Sequence, residues 1–390
     1  MTLPNTAQIF GAAALFALSA VAVQAAPFMI VGNDEKQGTD EHGRTILSPP
    51  GKDSVLIVDL ANPLSPKIVA NIQLKNSIVG PPVNVAIDPT GAIALVADSV
   101  DVVKNGDSLK AVPDDKIYVI DLKAKPARLI ATLTGAKQPS GLSINATGTL
   151  ALVANRAGKS ISILSIKGTD VKIVGTVEMG EEISHVVFTP DGKHALATKF
   201  ASHKIAQLDV DGDKVTDTKR DLPVGLWPYN IAVTPNGSLA LTTDNGNHGT
   251  SDGNVDTVSV IDLSAKPPRV IDHITVPDSP EGLAISPDGR LAAVIDAVGS
   301  NKDRNSFMYH RGGMATILLI KGKTVTKLKD IEVGALPEAV CFSPDGRFLY
   351  VGNFIDQDFS ILRVNGTRVT DTGKRFKVPG HPGSARCSVH

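Results

Sequence analysis

One pattern returns along nearly the whole chain and restricts its fold more than any other feature. It starts at a proline or apolar residue and runs through a short apolar alternation into a turn of the Pro-Asp-Gly kind. A second apolar run follows, ending mostly in Asn or Asp, and after a gap comes a run such as VIDL. PPVNVAIDPTGAIALVAD (81–98), PSGLSINATGTLALVAN (139–155) and ISHVVFTPDGKHALATK (183–199) are three instances. PYNIAVTPNGSLALTTD (228–244), PEGLAISPDGRLAAVID (280–296) and PEAVCFSPDGRFLYVGN (337–353) are three more. Their turn glycines, Gly91, Gly148, Gly192, Gly237, Gly289 and Gly346, are 44 to 57 residues apart. Repeats of that length built from short alternating runs are the size of four-stranded propeller blades. The second halves (SVLIVDL, KIYVIDL, SISILSI, KIAQLDV, VSVIDL, ATILLI and FSILRV) are β-branched and alternating, as strands should be.

The chain ends set the blade count. FMIVGND, SVLIVDL and KIVANIQL supply strands b, c and d of a unit lacking its innermost strand a. The missing strand matches Pro382 to Val389 in register. Six intact units and this split one predict an all-β, seven-bladed β-propeller, closed by one strand from the C-terminus joining three from the N-terminus. The expected domain is 26–390, with blade one made from 28–75 plus 381–390. Such closure removes an exposed sheet edge. Before it, Ile9 to Val23 form an apolar run followed by Gln24-Ala25-Ala26, which reads as a signal peptide over 1–25. Fifteen residues are too few to cross a bilayer as a helix. The mature protein is therefore expected in the periplasm or secreted, with no membrane insertion after signal removal.

Charge narrows the partners. Lys and Arg total 39 against 40 Asp and Glu, so no general pull toward nucleic acid exists and no nucleic-acid partner is expected. Walker loops, dinucleotide fingerprints and GxSxG elbows are missing from the sequence, so no nucleotide cofactor is expected. Cys341 and Cys387 fall on adjacent innermost strands but on opposite parity, which predicts free buried thiols. On those strands one parity is large and the other mostly small, and the small set is expected to face the axis. Arg386 breaks the small set and should point into the channel.

LYVGN followed by FSIL, and ALVAN followed by SISIL, resemble the YVTN-type β-propeller repeats of bacterial extracytoplasmic proteins. That resemblance covers essentially the whole mature chain and implies the fold. Related propellers include lactone hydrolases, heavy subunits of amine dehydrogenases and binding proteins, so it leaves function open.

Loop lengths locate the site. The a–b and c–d turns are short, whereas the b–c loops at 34–53, 99–115, 245–256 and 297–313 are long. Insertions on one face of a repeat protein usually build its binding surface, so a small molecule or protein partner is expected on the face of the b–c loops and d–a connections. Strand-a starts deliver His185, Tyr229, Asn230, Glu281 and Glu338 to that face, with Trp227 beside Tyr229 and Arg311 on a long loop. His185, Glu281 and Glu338 are the candidate ligands for a divalent cation such as calcium, and with Lys199 they are the candidate catalytic residues if the protein is an enzyme. The strand-b ends form a ring: Asn33, Asp98, Asn155, Lys199, Asp244, Asp296 and Asn353. Asn and Asp there are expected to hydrogen-bond to backbone two residues on. Asp244 and Asp296 are also ligand-binding candidates, and Lys199 is expected to form an ion pair. Asp209 to Asp213 mimics a calcium loop, but Arg220 stands where the twelfth-position Glu should be, so it reads as a c–d turn. Three functions fit these residues: a binding or scaffold propeller, a lactonase-like or other metal-assisted hydrolase, and a non-cofactor subunit of a periplasmic dehydrogenase.

Overall fold

The computed structural model describes Met1 and residues 26–75 and 82–389, so the signal expected at 1–25 lies, apart from Met1, outside the described residues. Seven four-stranded antiparallel sheets stand around one axis. Blades three, five, six and seven follow chain order, with innermost strands Pro139–Ile144, Pro228–Val233, Pro280–Ile285 and Pro337–Phe342. Blade two begins at Val85–Ile87 and blade four at Val186–Phe188; Leu222–Pro223 adds a further pairing to strand c of blade four. Blade one is the split sheet. Its order is His381–Cys387, Phe28–Asp34, Ser54–Asp59, Lys67–Gln73. Among the described residues no helix is long and apolar enough to cross a membrane.

Each a–b hairpin turns at its glycine, which sits in the left-handed region with φ between +63° and +71°. Only glycine takes that conformation without a steric cost. The residue three before it braces the turn, as when Ser286 Oγ accepts from Leu291 N at 2.9 Å.

The expectation for the inner strands is corrected. Ala86, of the small parity, packs with Leu142, Ala151 and Val153 of blade three; Val85, of the large parity, packs with Ile30 and Val55 of blade one. The sheets stand radially, so both faces of an inner strand meet a neighbouring blade. Near the axis two blades come too close for two large side chains, and one of each facing pair must be small.

The cysteine expectation is corrected by the same geometry. Cys341 and Cys387 form a disulfide with Cα atoms 5.7 Å apart. Opposite parity is what turns them toward each other, because Cys341 faces forward from blade seven and Cys387 faces back from blade one. Both pack in the same interblade core with Met29, Val31 and Tyr350.

The blade-two loop at 99–115 is not a loop. Strands Ile93–Asn105 and Ser108–Asp121 extend as one long hairpin, turned at Gly106 with φ +62°. Alternation through Val100, Val102 and Val103 and the Asn105-Gly106 pair carried that signal in the sequence.

Cutting the chain after Gly380 should strip strand a from blade one and lower the melting temperature far beyond a few degrees, since Phe28–Asp34 would become an open edge. Cys387→Ser should be milder, costing about 2–4 kcal/mol in a denaturant titration. A truncated protein melting close to full length would show that the ring does not depend on this strand.

Candidate functional site

Four of the inner strands start with a register shift against strand b, between Pro139 and Leu142, Pro228 and Asn230, Pro280 and Leu283, and Pro337 and Ala339. By repeat register, two consecutive residues at each strand start form two levels at the mouth of the axis. At the upper of the two levels stand Tyr229, Glu281 and Glu338, from consecutive blades. One residue further down stand His185, Asn230 and Ser384. Glu281 and Glu338 are buried at 9% and 8% exposure. Around this mouth several polar atoms are buried with no hydrogen-bond partner among the described residues: Ser140 Oγ, His185 Nε2, both amide atoms of Asn230 and Ser384 Oγ. An unsatisfied buried polar atom costs about 1–3 kcal/mol, so four such residues on four strands point to a function other than folding.

The carboxyl pair is strongly perturbed. Burial pushes Glu281 up to about 7, against the pull of Asn245, Ser279 and the Arg156 guanidinium. Burial, reinforced by the neighbouring Glu281, holds Glu338 well above the usual carboxylate range. At neutral pH the pair therefore keeps at least one proton. Such a pair can give and take a proton near pH 7, as acid–base chemistry requires.

Arg156 belongs to this site although it was not among the expected residues. Its guanidinium lies 4.8 Å from the Phe200 ring centroid and 5.9 Å from that of Tyr229, and its Nε has no partner. It occupies the place just after the strand-b ring, where the other blades carry Asp34, Ser99, Phe200, Asn245, Ala297 and Phe354. Comparing that column across blades would have shown it as the one cation.

His185 stands apart from the carboxyl pair. Its Nδ1 accepts from Ile231 N at 3.4 Å, and burial together with Arg386 lowers its pKa to about 3, so the ring is neutral. Among the described residues no group of three His, Cys, Asp or Glu side chains converges to hold a metal ion. The structure thus brings Glu281 and Glu338 together but leaves His185 with Arg386.

The remaining expected residues are placed elsewhere. Lys199 forms the anticipated ion pair, 2.9 Å from Asp221 with Glu181 at 3.7 Å. Asp244 accepts from Thr242, Thr257 and Ser259, and Asp296 from Thr316, so both tie strand b to strand c inside their blades. The ring's bonds run across the sheet and not to backbone two residues on, and Asp98 Oδ1, Asn155 Oδ1 and Asp296 Oδ1 are buried with no partner among the described residues. Asn353 shows the pattern: Oδ1 accepts from Gly334 N and Nδ2 donates to Ser360 Oγ, both at 2.9 Å. Trp227 packs on Phe200 and His248, with ring centroids 5.1 and 4.7 Å away, and its backbone N–H donates to His203 Nδ1. It wedges blades four and five and backs Phe200, on whose ring Arg156 lies. Arg311 and Tyr309 line a separate cleft of about 520 Å³ where the long loops of blades one and six meet above blade seven. A second cleft, about 450 Å³, lies on the opposite face beside Leu60, Arg347 and Tyr350. Neither contains the carboxyl pair, and the buried polar groups mark the site better than cleft size does.

A seven-bladed propeller with a polar, partly unsatisfied axial mouth is the class these observations define. No family model matches the chain. Lactonase-like propellers are its structural neighbours: a putative 6-phosphogluconolactonase of Bacteroides uniformis superposes with a TM-score of 0.69, at 16% identity over 93% of this chain and 100% of that one. The periplasmic gluconolactonase of Pseudomonas aeruginosa gives 0.65 at 17% identity over 93% and 99%. At such identities the likeness is one of fold. Antigen Lp49 of Leptospira interrogans is 26% identical over 263 residues, 64% of this chain, and the chain spans 53% of that protein's length.

The buried pair makes a pH prediction. A carboxyl raised in the fold from 4.5 to about 7 binds more protons folded than unfolded, so its contribution is intact below 4.5 and lost as pH rises through 7. Stability should fall between pH 5 and 8, and Glu338→Gln should reduce that fall by roughly 1–3 kcal/mol. Parallel pH–stability curves for the two proteins would show that the pair is not held protonated.

Proposed function

We propose that this chain is an exported propeller that binds a small polar organic molecule at its axial mouth. The observation that carries this reading is the convergence there of Glu281, Glu338, Tyr229 and Arg156 with buried polar atoms that have no hydrogen-bond partner among the described residues. A polyhydroxylated ligand would supply the missing partners. The apolar run at Ile9 to Val23 and the disulfide, which persists in oxidising compartments, support export.

Hydrolysis of a small lactone is the second reading, favoured by the two carboxyl groups and by the likeness to propellers named as gluconolactonases. The ionised member of the pair would take a proton from water as it attacks the lactone carbonyl. The protonated member would give its proton to the departing ring oxygen, leaving a hydroxy acid, and Arg156 would hydrogen-bond the carbonyl oxygen as negative charge builds on it. A divalent cation at the pair would supply Lewis-acid help, with Glu281 and Glu338 as the ligands on hand.

Thermal melting with gluconate and hydrolysis of gluconolactone followed by acid release separate the two readings. Binding predicts a saturable rise in melting temperature that Glu281→Ala and Arg156→Ala weaken. Catalysis predicts that Glu338→Gln slows hydrolysis by about a hundredfold or more. Hydrolysis at the buffer rate would remove the enzymatic reading, and no stabilisation by gluconate or a panel of related sugars and lactones would remove the mouth as a ligand site.

A further inference from the structure

Deeper in the axis than the carboxyl pair lies a guanidinium whose charge the protein does not answer. Arg386 sits on strand a of blade one, paired with Ile30, and breaks a column that elsewhere reads Ala86, Ser143, Val187, Ala232, Ala284 and Cys341. It makes no ion pair among the described residues. Its one hydrogen bond there runs from Nε to Val85 O, at 3.4 Å, on blade two. Burial lowers its pKa, and no carboxylate counters that effect. Arg386 is half-buried, and a cation partly withdrawn from water without a counter-charge favours an anion beside it.

The groups beside it are donors. Arg386 lies near enough to the His185 ring of blade four to lower its pKa, and its Nε reaches the inner strand of blade two. Because His185 Nδ1 accepts from the Ile231 N–H, the neutral ring carries its proton on Nε2, which is buried with the Asn230 side chain as its neighbour and no hydrogen bond of normal geometry. Asn230, close enough to influence the His185 ring, has an amide whose two atoms make no hydrogen bond of normal geometry. Ser384 lies two residues before Arg386 on the same face of the strand, fully buried, with its hydroxyl unpartnered. Gly141 makes room for this arrangement: a Cβ there would lie 2.6 Å from His185 Cδ2.

We propose that Arg386, His185, Asn230 and Ser384 form an anion-binding chamber in the propeller axis, beneath the carboxyl mouth, that takes one small monovalent anion. Three neutral donors beside one cation, from three blades in all, suit a halide or a carboxylate group, with Arg386 as counter-charge and the neutral N–H and O–H groups as directed hydrogen bonds. The chamber goes beyond the ligand reading of the mouth and stands whether or not that site hydrolyses a lactone. Its anion has two sources: a free inorganic ion, or the acidic end of a molecule held at the mouth.

The test uses the full mature protein in a bulky sulfonate buffer at constant ionic strength. Bromide and acetate are titrated separately against melting temperature, for wild type, Arg386→Gln and Ser384→Ala, and wild-type crystals are soaked in bromide and in bromoacetate for anomalous scattering. The expected result is saturable stabilisation of wild type, an affinity roughly 10- to 100-fold weaker in Arg386→Gln, and bromine density within reach of Arg386. Response to both anions assigns a free ion; response to acetate and bromoacetate alone assigns a ligand's carboxylate. Ser384→Ala should weaken binding less than Arg386→Gln, and it serves as the comparison if Arg386→Gln does not fold. No bromine density at Arg386 in either soak, with no saturable effect of either anion on wild type, would overturn the proposal.

Discussion

Seven wedge-shaped sheets around an axis hold together only if the first meets the last. Here that meeting is hydrogen bonding between Phe28–Asp34 and His381–Cys387, which places Val31 opposite Ala385 and Gly32 opposite Ser384. Backbone pairing fills the open edge, the Cys341–Cys387 disulfide crosses the neighbouring interface, and Met29, Tyr350 and Phe359 pack around it. The strand that closes the ring also carries Ser384 and Arg386 into the channel. Closure and site are thus coupled, since weakening the joint would loosen part of the axial lining.

The interblade cores are apolar on both faces of each sheet, and polar atoms are expelled from them to the rims or to the axis. At the rim, water or short turns satisfy those atoms. In the axis neither the neighbouring strands nor the turns reach them, and the strand-a bulges turn them inward. Burial then shifts their chemistry, raising Glu281 and Glu338, lowering His185 and leaving Arg386 without a counter-charge. The perturbed groups sit at the buried starts of the inner strands, where packing holds them in place. The long loops play a different part. Those of blades one and six touch through His42 and Asp303, at 3.1 Å, and bridge the short loop of blade seven, so the long-loop face is roofed on one side.

Much of this was legible in the order of residues. Blade number, strand order, the turn glycines and the split closure follow from a repeat whose strands pair with their neighbours in sequence; an antiparallel meander writes its contacts locally. The upper ring was legible in the same way, because Tyr229, Glu281 and Glu338 occupy one repeat position. The ion pair of Lys199 was anticipated from its place in an acidic column, and Asp221 answers it.

What the tertiary structure alone decided are relations between blades. Parity on a strand says which residues share a face, but not which neighbour that face meets, and so the cysteines were expected apart when opposite parity joins them. The split between His185 and the two glutamates rests on one residue of height along the axis, which a list of polar residues does not contain. Arg156 of blade three reaches Phe200 of blade four and Tyr229 of blade five, and Arg386 lies near His185, 201 residues away in sequence. Local periodicity determines strands and their count. The direction of a side chain into a shared axis depends on bulges, radial packing and the position of six other blades, and only the closed ring supplies those together.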